Sequence, residues 1–110
     1  MIELTLPYPP SANRYWRNFR GRMVQSKAAR EYIEQVRLAH SGHDLMEGQV
    51  VVTVSLYRPR KSGDLDNFFK VALDALQGVV YKDDKQVIEI HAYRHDDKQN
   101  PRAVVTVQEK

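Results

Sequence analysis

Residues 49–57, read as Gln-Val-Val-Val-Thr-Val-Ser-Leu-Tyr, constrain the fold more than any other stretch of the chain. In an extended backbone Val50, Val52, Val54 and Leu56 point one way and Val51, Thr53, Ser55 and Tyr57 the other. Both faces are fairly apolar, which predicts a strand lying in the middle of its sheet rather than at an edge. The rest of the chain must therefore supply its neighbours. Ile2, Leu4 and Leu6 alternate with polar residues and predict a first strand, ended by the prolines of Pro7-Tyr8-Pro9-Pro10. Val87 to Arg94 and Ala103 to Gln108 predict two more, and the polar turn Asp96 to Pro101 between them suggests a terminal hairpin.

Two helices separate these strands. Ser26 has the chemistry of an N-cap, Ala29, Tyr32, Ile33, Val36 and Ala39 follow at helical spacing, and Gly42 closes the run. Leu65, Phe69, Ala72, Leu73 and Leu76 fall at i, i+4, i+7, i+8 and i+11, one apolar stripe, with Gly78 as the stop. Ser11 to Val24 is expected to be a loop rich in arginine and aromatics. The order β-α-β-α-β-β predicts an α+β protein with a mixed sheet and helices on one face. At 110 residues, with no repeat, linker or low-complexity tract, residues 1–110 form one expected domain.

Several function classes fall away on composition. With no cysteine there is no disulfide framework, thiolate metal site or cysteine nucleophile. The N-terminus lacks the basic and apolar regions of a signal peptide, and no apolar run approaches the roughly 20 residues that span a bilayer. A cytoplasmic protein without membrane contact is expected. No glycine-rich phosphate loop is discernible, so no nucleotide cofactor is expected, and no hydroxyl nucleophile with its base is visible. The charge is unevenly placed. Up to Ser62 there are ten basic residues against five acids, and from Gly63 onward nine acids against seven bases. A basic grip followed by clustered carboxylates suits an enzyme that holds a polyanion and cuts it with a metal.

Asp64-Leu65-Asp66 offers two hard oxygen donors where the second helix begins, the chemistry that Mg2+ prefers. Leu65 belongs to the buried stripe and so fixes the carboxylates on the exposed edge beside it. On a helical wheel Asp66, Lys70 and Asp74 lie along one line, which lets the Lys70 ammonium reach the same cluster. A plainer reading stands beside this one: acids at a helix N-terminus are favoured by capping and the dipole, and Asp66–Lys70 is an ordinary i,i+4 pair. Asp83-Asp84 is likewise either a second acidic cluster or a polar turn. In a compact domain the loop after a helix can fold back toward its start, and carboxylates brought together there would repel one another without a cation.

Asn13-Arg14-Tyr15-Trp16-Arg17 and Arg20-Gly21-Arg22 interleave arginines, which bind phosphate bidentately, with aromatics, which stack on exposed bases. A solvated loop whose aromatics cap the core would look the same. Arg58, Arg60 and Lys61 place further positive charge directly before the acidic motif. His40, His43, His91 and His95 read as solvated histidines, with His91, His95 and Glu89 on one strand face.

Taken in order, Pro9-Pro10-Ser11-Ala12-Asn13-Arg14-Tyr15, Asp64-Leu65-Asp66-Asn67 with Lys70, Asp74-Ala75-Leu76 and Asp83-Asp84-Lys85-Gln86-Val87 resemble the RusA family of Holliday junction resolvases. The resemblance runs over nearly the whole chain. It implies a homodimeric endodeoxyribonuclease of recombination and repair, often phage- or prophage-encoded, that depends on Mg2+ or Mn2+ and nicks four-way DNA junctions symmetrically. It further implies metal-holding carboxylates at Asp64, Asp66 and Asp84, a catalytic lysine at Lys70, and DNA contacts at Ser11, Asn13, Arg14, Arg60, Lys61 and Asn67. One departure stands out: Gly63 occupies a position where a member of the family has a basic residue that would touch DNA, which bears on affinity or sequence preference.

Two other functions compete. A non-enzymatic nucleic-acid-binding module would bind in a salt-sensitive way without metal-dependent cleavage. A nuclease acting on flaps, other branched DNA or RNA would keep the chemistry and change the substrate.

Overall fold

In the computed structural model, which describes residues 1–10, 16–59 and 66–110 (side chains 16, 17, 23 and 66–70 excepted), the alternation at the N-terminus becomes strand β1, Ile2–Pro7. It buries Leu4 and Leu6 and leaves Glu3 and Thr5 exposed. Two short strands follow, β2 (Trp16–Phe19) and β3 (Arg22–Gln25), paired antiparallel as a separate two-stranded sheet. Their connection is the two residues Arg20 and Gly21, both with positive φ (53° and 77°). That backbone matches the natural twist of a tight hairpin.

Helix α1 (Lys27–Ala39) starts as expected, with Ser26 Oγ accepting from the Ala29 N–H at 3.2 Å. Ala29, Tyr32, Ile33 and Val36 form its buried stripe, and the Tyr32 hydroxyl donates to the Pro7 carbonyl at 2.8 Å, tying the helix to the end of β1. The helix ends at Ala39, with His40 as its C-cap, before Gly42 is reached. Strand β4 (Val50–Arg58) buries Val50, Val52, Val54 and Leu56. Helix α2 spans Asp66–Leu76, a 3-10 turn covers Asp84–Gln86, and β5 (Val87–Asp96) and β6 (Arg102–Glu109) complete the chain.

The four long strands make one mixed sheet in the order β1-β6-β4-β5. β4 is interior, as its two apolar faces require. β6 is antiparallel to β1 and to β4, whereas β5 runs parallel to β4, so β4-α2-β5 is a crossover unit. The expected terminal hairpin does not form, because β4 lies between β5 and β6. A polar turn between two strands records only that the chain reverses; which strands then pair depends on where β4 can bury both of its faces.

Ala103, Val105 and Val107 of β6 join Leu4, Leu6, Val52 and Leu56 beneath the helices. The helices pack on one another, and α1 also on β1. β5 is consequently thinly covered, and Ile88 and Ile90 remain about two-fifths exposed. Along α2, Ala72 and Leu76 of the expected stripe are buried, but so are Val71 and Ala75, because the helix is covered by α1 and the following Val79–Tyr81 segment as well as by the sheet. Among the described residues, no helix is long and apolar enough to cross a membrane.

Candidate active site and nucleic-acid interface

The acidic turn is built by the way α2 ends. Gly78 has φ 84°, a left-handed conformation that a residue with a Cβ adopts only with strain. The N–H groups of Val79 and Val80 both donate to the Leu76 carbonyl, and Gly78 N–H donates to the Tyr81 carbonyl at 2.7 Å. This reversal drives Val79, Val80 and Tyr81 into the core. The Tyr81 ring is fully buried while its hydroxyl reaches back to donate to the Leu73 carbonyl in the last turn of α2, at 2.7 Å. Met46, from the connection between α1 and β4, donates its N–H to the Val80 carbonyl and pins the segment from the other side.

Residues 82–86 follow from that anchor. Asp83 is the N-cap of the 3-10 turn and its Oδ1 accepts from the Lys85 N–H at 2.9 Å. That backbone donor is the main reason its carboxyl is held below the usual carboxylate range. Gln86 closes a capping box: its Oε1 accepts from the N–H groups of Lys82 and Asp83, each at 2.9 Å. Its Nε2 donates to the carbonyls of Met46 and Gly48, each at 2.8 Å. Lys82 pairs with Glu47 across the same junction. Asp84, first residue of the 3-10 turn, is exposed.

Burial pushes the Tyr81 phenol up strongly, and the negative charges of Asp84 and Asp74 add to the effect. The turn has therefore folded back against the C-terminal half of α2, so that acids from both elements act on one buried hydroxyl. At the other end of α2, the backbones of Asp66, Asn67 and Lys70 form the first turns, while their side chains lie outside the described part. Asp64, Arg60 and Lys61 lie outside the described residues, as do Ser11, Asn13 and Arg14. Among the described residues no three metal-ligating side chains converge. The described share of the expected carboxylate cluster is Asp84, an exposed hard oxygen donor on a rigid turn, which fits an ion such as Mg2+.

Arg58 takes a different role from the one its position suggested. Its side chain is 11% exposed and its Nη2 donates to Asp96 Oδ1 at 2.8 Å, so it locks β4 to the end of β5 rather than standing free for phosphate. His91 and His95 have surface partners. His91 lies 3.2 Å from Glu89, which also pairs with Lys110, and His95 stacks on Tyr57 with ring centroids 4.7 Å apart. The Arg102 guanidinium sits 3.9 Å from the centre of the same Tyr57 ring.

The β2–β3 hairpin is the feature that reading the sequence missed. It carries Arg20 and Arg22 exposed at its tip, with the Arg20 guanidinium 5.2 Å from the centre of the half-exposed Phe19 ring. The one available signal was Arg20-Gly21, a weaker turn marker than Asn-Gly, and the flanking residues do not alternate in polarity.

A one-domain α+β frame with a basic first half and a braced acidic turn is consistent with DNA-cleaving hydrolases, and the comparisons define that class. The model of the family described as Endodeoxyribonuclease RusA matches residues 7–108. A crossover junction endodeoxyribonuclease of Enterobacteria phage 82 is 33% identical over 97% of this chain and 93% of the relative. The protein of that name from Escherichia coli K12 matches equally, and one from Escherichia coli O139:H28 is 36% identical over 79% of this chain and 77% of its own length. The chain belongs to the RusA family of endodeoxyribonucleases.

Proposed function

We propose that this protein is a divalent-metal-dependent endonuclease that acts in the cytoplasm on four-way DNA junctions and resolves them by paired, symmetric nicks. The observation that carries the reading is the family match along nearly the whole chain, with relatives named for crossover junctions. The braced turn supports it locally, because it presents Asp84 exposed on a turn that Tyr81 ties to the last turn of α2.

In this reading Asp64, Asp66 and Asp84 hold Mg2+, for which Mn2+ can substitute. When bound, the ion neutralises phosphate charge and lowers the pKa of a coordinated water. Lys70 sits four residues after Asp66 on α2 and stabilises charge on the leaving oxygen. Ser11, Asn13, Arg14, Arg60, Lys61 and Asn67 grip the backbone of the DNA, and the hairpin tip adds Arg20 and Arg22 as phosphate donors. A four-way junction has approximate two-fold symmetry, so two matched nicks require two identical sites related by the same axis, which a homodimer supplies.

The test is incubation with a mobile four-way junction and with linear duplex, with and without Mg2+, beside Asp66→Asn. Symmetric nicks confined to the junction, lost on chelation and in the variant, are expected. Tight junction binding without cleavage under any divalent ion would replace this reading with that of a binding module, and preferential cutting of flaps or RNA would change the substrate. Wild-type cleavage by Asp66→Asn would remove Asp66 from the site.

A further inference from the structure

We infer that Gln86 is a positioning residue that holds Asp84 ready for the metal ion before the ion arrives. The inference rests on the reading of Asp84 as a metal-holding carboxylate. Gln86 uses its whole carboxamide: two N–H groups of the turn donate to Oε1, and both Nε2 hydrogens go to the Met46 and Gly48 carbonyls. One side chain thus joins the backbone of Lys82 and Asp83 to a segment some 40 residues earlier, which is itself held to Val80 through the Met46 N–H. Asp83 meanwhile spends its carboxylate on the Lys85 N–H. Of two adjacent aspartates, Asp83 caps the turn through the Lys85 N–H, while Asp84 stands exposed beside it with the Asp83 carboxyl as its side-chain neighbour.

Such bracing matters for a carboxylate more than for a purely structural turn. A ligand held in position beforehand does not lose conformational freedom when the ion binds, and removing its outer partners typically weakens metal affinity about 10- to 100-fold. Gln86→Glu is the sharpest perturbation, since it keeps the shape and the two accepted hydrogen bonds but sets a carboxylate against the two carbonyls. Gln86→Met keeps the length and removes all four bonds.

Calorimetric titration of Mn2+ into the full chain separates the roles. Asp84→Asn should abolish the binding isotherm, Gln86→Glu and Gln86→Met should weaken it at least tenfold, and Asp83→Ser, which keeps a capping oxygen, should stay within about twofold of wild type. The Gln86 variants should cut junctions at the wild-type maximal rate once Mg2+ is raised, with junction binding in chelator unchanged. Wild-type affinity in both Gln86 variants, beside loss in Asp84→Asn, would overturn the inference alone. Wild-type affinity in Asp84→Asn would instead overturn the assignment of Asp84, and loss in Asp83→Ser would make Asp83 a ligand rather than a cap. If the Gln86 variants do not fold, hydrogen exchange on the wild type decides. The amides of Lys82, Asp83 and Lys85 must already be protected without metal, and protection that appears only on adding it would refute the inference.

Discussion

Replacing Tyr81 with phenylalanine removes a single oxygen from the joint between α2 and the acidic turn, and the structure fixes what that should cost. The ring is fully buried and Phe refills it, so no cavity forms; what is lost is the 2.7 Å hydrogen bond to the Leu73 carbonyl. A net loss of about 1 kcal/mol is expected at neutral pH, or about 4 °C in Tm for a domain of this length. The pH dependence makes the test sharper. The Tyr81 phenol is pushed up by burial, with Asp84 and Asp74 adding to it, so in the folded protein it stays neutral where a free tyrosine ionises. A raised folded pKa contributes stability that is complete below the unfolded value of about 10 and is lost as pH rises above it. By pH 11 ionisation in the unfolded state costs the wild type about 1.4 kcal/mol that Tyr81→Phe does not lose. The two stability curves should therefore cross between about pH 10 and 11, since Tyr32 contributes equally to both proteins. Urea denaturation followed by circular dichroism from pH 7 to 11 measures this. A constant offset between the curves, or no difference at pH 7, would refute the argument.

Ser26→Ala removes the side-chain cap of α1 and should cost about 1 kcal/mol by the same denaturation assay, with junction cleavage retained. Gly78→Ala places a Cβ at φ 84° and should cost about 1–2 kcal/mol even though no neighbouring atom obstructs it, so a neutral result would mean that the turn relaxes to another backbone. Asp97 is held below the usual carboxylate range chiefly by Arg102 Nη1 at 2.9 Å and then by the Asn100 N–H. A depressed carboxylate contributes stability above its unfolded pKa of about 4 and loses it as pH falls through the lower folded value. Asp97→Asn should thus be less stable than wild type at neutral pH and show a shallower loss below about pH 4, read from acid-induced unfolding.

The elements were largely legible because each rests on short-range periodicity. Ser26, Tyr32 and Val36 mark α1 from within one helix, and Val50 to Leu56 mark β4 from within one strand. The hairpin at Arg20-Gly21 escaped because its strands are only four residues each, too short for a periodic signal. Arg58 was misjudged for a related reason. Its partner Asp96 lies 38 residues away, and the sequence records the charge of a side chain but not what it meets.

The site divides along the same line. Residue chemistry alone marks Asp64, Asp66 and Lys70 as one acidic-basic group at a helix start and Asp83-Asp84 as a second acidic pair, and it singles out the basic first half as the side expected to meet a polyanion. Those conclusions need only charge, spacing and helical geometry. Tertiary structure decided that β6 and not β5 neighbours β1, that β5 returns parallel to β4, and that the segment after α2 folds back through Tyr81. It also decided which aspartate of the pair caps the turn. Asp83 and Asp84 are chemically identical, and only the Lys85 N–H and the Gln86 carboxamide distinguish them. The physical reason is that periodicity and capping act within a few residues of the chain, whereas the bracing of the turn joins groups 35 to 40 residues apart and the strand order rests on still more distant pairings, such as Ile2 with Val107, that form only once the core has closed.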